Sequence, residues 1–179
     1  SGSYNPSFGQ EALRANTTAS NNTAVGFQAG YSNTTGGELT AIGYKALFSN
    51  STAYNNTAVG EYASYANTTG AYTASLGRYA MYSNTTGNYN TAIGDSSLYS
   101  NTTASNNTAV GYQAGYTTTT GSSNTSNGYQ SFYSNTTGHS NVATGYHALY
   151  SNNTASYNTA NGLQALYSNR TGQYNTAMG

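Results

Sequence analysis

The sequence predicts an all-β chain folded as one β-solenoid, a parallel β-roll or β-helix with a coil every 17 residues. Three observations predict it. Gly9, Gly26, Gly43, Gly60, Gly77, Gly94, Gly111, Gly128, Gly145, Gly162 and Gly179 form one arithmetic series with no insertion or deletion. A fixed period of this kind marks a stacked repeat. The period is too short for helical hairpin repeats, which need about 30 residues or more, and glycine inside every repeat weakens helix. Each repeat also holds a β-compatible segment such as Asn90-Thr91-Ala92-Ile93-Gly94, bounded by turn-forming residues.

The array is one domain over residues 1–179: a partial coil, 1–8, and then ten coils to Gly179. Each coil is expected to carry two or three short strands and to stack on the next at about 4.8 Å. Positions are counted here from the series glycine, position 0. The first segment carries the only proline, Pro6. Proline cannot donate to a strand ladder and belongs at an edge or a strand start, so this end reads as a true N-terminal edge.

The following coils repeat Gly-Tyr-Gln-Ala-Leu-Tyr-Ser-Asn-Thr-Thr-Gly and then Asn-Thr-Ala-Val, with two residues between, a variable one and then most often Tyr or Asn. Positions +3 and +15 are always Ala or Ser, and +10 is always Gly or Ala. Such a size limit implies tight packing or close backbone approach. Most coils read Thr at +14 and half of them Val or Ile at +16, but Asn141-Val142-Ala143-Thr144 exchanges the two. Residues i and i+2 share a strand face, so the exchange keeps both side chains on one side. Either face could be the core, although Asn127, Thr144 and Asn161 at +16 would be awkward in a dry interior.

Stacking places like upon like, so columns matter more than linear spacing. Column +5 runs Tyr31, Phe48, Tyr65, Tyr82, Tyr99, Tyr116, Tyr133, Tyr150 and Tyr167, an aromatic ladder with Arg14 placed to cap Tyr31. Column +1 puts Glu61, Arg78 and Asp95 in consecutive coils, an expected ion ladder. Two coils separate Glu61 from Asp95, a spacing that could suit a pair of glycosidase carboxylates. The intervening arginine favours the structural ion ladder instead. His139 and His147 fall in different columns without cysteine or an acid cluster, which argues against a metal site.

Charged residues are only 4% of the chain, four basic and four acidic, against about 25% in a typical soluble domain. There is no basic patch for nucleic acid, no polybasic segment for anionic lipid and no apolar run of membrane-spanning length. A surface with so little charge is poorly protected against self-association. No cofactor is implied, and no constellation indicates an enzyme.

Asn-x-Ser/Thr is the most frequent chemical signature. At +7 it begins at Asn16, Asn33, Asn50, Asn67, Asn84, Asn101, Asn135, Asn152 and Asn169. Position +9 is Thr in all ten coils: Thr18, Thr35, Thr52, Thr69, Thr86, Thr103, Thr120, Thr137, Thr154 and Thr171. Two readings stand: turn residues that hydrogen-bond the backbone, or attachment of glycans at Asn or Thr. Regular threonine also raises ice binding. The +9 column adjoins turn residues, and the flatter +14 column is interrupted by Pro6, Ala74 and Val142.

The units Asn107-Thr108-Ala109-Val110-Gly111-Tyr112-Gln113-Ala114-Gly115-Tyr116 and Gly162 to Gly172 resemble repeats of bacterial surface and phage tail-fibre proteins. Ala41-Ile42-Gly43 and Ala92-Ile93-Gly94 are similar to the Ala-Ile-Gly core of trimeric autotransporter adhesin heads. The resemblance implies an extracellular adhesive or structural fibre and carries no catalytic residue. The expected role is therefore a structural, non-enzymatic segment of an extracellular or cell-surface microbial fibre that associates with copies of itself. Receptor or carbohydrate binding through the tyrosine rows, and ice binding, are the alternatives. A bare monomer is not expected, because an uncapped solenoid exposes unpaired strand edges.

Overall fold

The computed structural model describes residues 2–179 as a stack of parallel coils with one sheet running along it. The strands are β1 (Ser7–Phe8), β2 (Thr23–Val25), β3 (Thr40–Ile42), β4 (Thr57–Val59), β5 (Ala74–Leu76), β6 (Thr91–Ile93), β7 (Thr108–Val110), β8 (Thr125–Asn127), β9 (Val142–Thr144), β10 (Thr159–Asn161) and β11 (Thr176–Met178). They pair in sequence order, all parallel. The register never slips: Thr40 faces Thr57, Ala41 faces Ala58 and Ile42 faces Val59. Each step is one repeat, so the predicted β-solenoid is the fold. β1 is a residue shorter than the rest, in keeping with Pro6, which lacks the N–H that each +14 residue from Thr23 to Thr159 donates to the following coil.

Each coil carries one strand among the described residues, not two or three. The reason lies in the backbone. Positions +2, +4 and +12 are left-handed in every coil, as at Gln113 (φ 52°), Leu98 (φ 47°) and Asn106 (φ 62°). A left-handed residue turns the chain and ends a strand. It costs an L-residue about 1–2 kcal/mol, more when the side chain branches at Cβ. The sequence respects this: although Thr is abundant, no Thr, Val or Ile occupies +2, +4 or +12 in any coil.

Inter-coil hydrogen bonding nevertheless continues around the turns. The +4 N–H donates to the +3 carbonyl of the next coil (Leu98 to Ala114, 3.0 Å), and the +2 N–H donates to the +1 carbonyl of the preceding one (Gln113 to Asp95, 3.0 Å). The unpaired donors left by missing strands are thus satisfied by stacking, as buried backbone requires.

The strand face is settled by burial. Ala24, Ala58, Ala92, Ala109, Ala143 and Ala160, all at +15, have 0% exposure, so +15 points inward and +14 and +16 point out. The exchanged pair Val142 and Thr144 obeys the same rule, since both lie outside while Ala143 is buried. The awkward Asn127 and Asn161 are therefore exposed.

The core is a column of small residues at +15 and +3 filled by larger ones at +4: Leu13, Leu47, Met81, Leu98, Phe132 and Leu149. Burying each such side chain contributes about 1.5–3 kcal/mol. Large and small alternate where space demands it. A Cβ on Gly115 would lie 2.9 Å from Leu98 Cδ2, and one on Gly30 the same distance from Leu13 Cδ2. Where +4 turns polar the facing strand residue turns polar with it, and Ser64 Oγ donates to Ser75 Oγ at 2.9 Å.

Candidate functional site

Asparagine forms two internal columns. At +7, the Nδ2 of Asn50, Asn67, Asn84 and Asn101 donates to Oδ1 of the asparagine one coil earlier, at 3.0, 3.0, 2.7 and 2.7 Å. The same nitrogens reach the +10 carbonyl of their own turn, as Asn84 does to Gly87 at 3.1 Å. At +13, the side-chain oxygen of each asparagine from Asn22 to Asn141 accepts the N–H of the next coil, and its Nδ2 donates to the next +10 carbonyl. Asn107 does both, with Asn124 N (2.9 Å) and Gly121 O (2.9 Å). Side-chain amides thus stand in for a ladder at corners where the backbone bends.

This corrects the reading of the +7 sequons as open glycan acceptors. Asn33, Asn50, Asn67, Asn84, Asn101, Asn135 and Asn152 are 0% exposed. A glycan on Nδ2 would replace the proton that bonds the ladder and would have to pass through the wall. Only Asn16 and Asn169, in the first and last full coils, are partly exposed. The turn reading is the physical one, extended from a local bond to a column.

Threonine divides its work between adjacent positions. At +8, a hydroxyl in coil after coil donates to the +8 carbonyl of the next: Thr34 to Ser51, Ser51 to Thr68, Thr68 to Thr85 and Thr85 to Thr102, at 2.9–3.1 Å. In the sequence this column reads only as half of a Thr-Thr pair. At +9 all ten threonines are exposed, and nothing in the packing demands threonine there.

The asparagine column at +7 has one break, Thr118. Asn101 Oδ1 loses its donor, and both it and the Thr118 Oγ1 are buried without a partner. Beyond the break, Asn135 turns back on its own coil, donating to the Gly138 carbonyl (3.1 Å) and accepting from Gly138 N–H (2.9 Å).

The aromatic ladder is complete. From Tyr31 to Tyr167 all eight successive ring pairs stack, with centroids 5.0–5.2 Å apart and planes within 15°. Arg14 caps it, with Cζ 5.4 Å from the Tyr31 centroid. Shorter stacks lie beside it, Tyr112–Tyr129–Tyr146 at +1 and Tyr62–Tyr79 at +2. Because each inner ring is covered on both faces, the column offers solvent its edges and hydroxyls. A sugar ring that stacks on an aromatic needs a free face, so the geometry does not favour the carbohydrate reading along this column. Burial pushes the phenol pKa of Tyr82 and Tyr133 up, and the neighbouring tyrosines add to it.

The ion ladder is a pair, not a triad. Arg78 Nε lies 3.0 Å from Asp95 Oδ2, and this contact raises the arginine's pKa. The guanidinium also lies over Tyr79, 5.3 Å from its centroid. Glu61 forms no ion pair among the described residues. An arginine has one planar fork, and here it is committed to one neighbouring coil.

The histidines sit apart among aromatics. His139 meets Tyr157 edge-on at 5.0 Å. His147 Nε2 donates to Gln130 Oε1 at 2.9 Å, and burial lowers its pKa. No helix among the described residues is long and apolar enough to cross a membrane.

Among the described residues, two repeating surfaces make no side-chain hydrogen bond to a neighbouring coil, the outer sheet face and the +9 threonine row. On the sheet face, +14 presents mostly Thr, and +16 presents Val25, Ile42, Leu76 and Ile93 at 37–40% exposure. No family model, curated protein or solved structure matches the chain.

Proposed function

We propose that this chain is a structural, non-enzymatic segment of an extracellular microbial fibre that grows by stacking coil upon coil with copies of itself. The observation that carries the reading is how the side chains are spent. The +7 asparagines from Asn33 to Asn101, the +13 asparagines and the +8 hydroxyls bond to the coil above or below and the +5 rings stack on it, so much of the chemistry of the sequence goes into axial cohesion. The edges continue the same logic. Every inner +14 N–H donates to the following coil, as Thr91 does to Asn107 O at 2.8 Å, and Thr176 in β11 points the same way. A continued chain or another copy would meet the same pattern of donors and acceptors, and head-to-tail addition that does not close gives a filament. Glycans on the exposed +9 threonines would supply the solubility that so few charges cannot.

Negative-stain imaging with light scattering and intact-mass spectrometry tests this. Rods longer than one chain, or a mass raised by glycan, are expected. A stable, unmodified 18.6 kDa monomer at high concentration overturns it.

A further inference from the structure

We propose that the outer face of the sheet over β2–β7 is an ice-binding surface. The inference goes beyond the fibre reading and does not depend on it, because it concerns the side of the rod and not its ends.

Four observations converge on this face. The +15 residues point inward, so +14 and +16 form the outer surface. The pairing of β2 through β7 is parallel and in register at every step, so like side chains repeat along each column at one strand spacing. Strands lie about 4.8 Å apart, and residues i and i+2 about 6.6 Å apart. These are close to the repeats of oxygen atoms on faces of hexagonal ice. Over these six strands +14 is Thr except at Ala74, and +16 is Val, Ile or Leu throughout. The face therefore alternates a hydroxyl-and-methyl column with an aliphatic one. The hydroxyls hold water at fixed points, and the methyl groups order it between them. None of the eight charged residues lies at +14 or +16.

The strict lattice favours ice over a protein partner. A partner without this repeat presents a few particular side chains and gains nothing from identical spacing over six strands, whereas a crystal rewards every repeat; a second copy of this chain shares the spacing and is distinguished by the test below. The backing is stiff. Asparagine and hydroxyl ladders tie each coil to both neighbours, so little entropy is lost when the array meets an ordered surface. The face has a boundary: in β8, β9 and β10 the +16 residues are Asn127, Thr144 and Asn161, which break the aliphatic column.

The test is thermal hysteresis and inhibition of ice recrystallisation by the full chain. Thr57→Lys and Thr91→Lys place a flexible charge at the centre of the array and should remove most of the activity. Thr159→Lys, outside the boundary, should leave most of it. Thr91→Val keeps the shape and should retain it. Circular dichroism and melting temperature establish that each variant is folded. A wild-type chain that leaves ice growth unchanged overturns the proposal, and so do lysine variants as active as wild type. If light scattering shows wild-type dimers that Thr57→Lys dissociates, and ice is unaffected, the face is an interface between copies and the proposal fails. Filament formation is read separately, so the loss of either reading leaves the other standing.

Discussion

At the scale of single residues, three positions carry sharp expectations. Gly94 has φ 127°, and a Cβ on it would lie 2.5 Å from the Gly111 carbonyl oxygen. Strain and collision act together, so Gly94→Ala should lower stability by about 2 kcal/mol or more, measured by thermal or urea unfolding. Thr118→Asn should act in the other direction. It gives the buried Asn101 Oδ1 the donor it lacks and Asn135 an acceptor, worth about 1–2 kcal/mol. No gain in melting temperature would mean that Thr118 is already satisfied by another group. His147 titrates below its ordinary value in the folded state. The unfolded chain then binds the proton more readily, so stability should fall as pH drops through about 6.5 toward the lower folded value. His147→Gln supplies the residue most frequent in this column and should flatten that stretch of the stability–pH profile.

At the scale of elements, the ladders decide the energetics. Tyr99 stacks on Tyr82 and Tyr116 at 5.2 and 5.1 Å. Removing it as Tyr99→Ala should cost about 1–3 kcal/mol from two lost stackings alone. Tyr99→Phe should be close to neutral, as Phe48 already serves in the same column. Calorimetry of the two variants separates the ring from its hydroxyl. The raised phenols Tyr82 and Tyr133 make an alkaline prediction. Their folded pKa exceeds the unfolded value, so their contribution is intact below about pH 10 and is lost as pH rises through the folded value. Ultraviolet titration should show a tyrosine population that ionises late and together with unfolding. By contrast, Arg78→Gln should leave the melting temperature nearly unchanged, since the arginine side chain is 58% exposed and water screens the pair.

At the scale of the whole molecule, each coil contacts only its neighbours, so stability is close to a sum of coil and interface terms. Amide exchange should be slowest near the middle of the stack and fastest past Gly162, where β11 has a partner on one side only. Uniform protection from end to end would point to a covered edge and so bear on the fibre proposal. The weakest internal joint is expected around Gly115. There the apolar clusters around Met81 and Phe132 are separated by a coil carrying glycine at +4, Ser126 at +15 and Thr118 in the asparagine column.

The sequence by itself determined the period, the fold class, the aromatic column and the small-residue positions. Each depends on translation by one repeat, and a stacked fold turns linear periodicity directly into spatial contact. It also carried an unread signal for the turns, the absence of β-branched residues from +2, +4 and +12. Only the tertiary structure decided which strand face is inside, that a coil has one strand, that Arg78 pairs with Asp95 alone, and that the +7 asparagines are interior. These depend on rotation within a coil, and a period fixes the rise from one coil to the next without fixing where a side chain points. Asparagine is the clearest case. Its amide suits a solvent-facing turn and a buried ladder equally well, and the two separate only when the neighbouring coil supplies an acceptor at bonding distance.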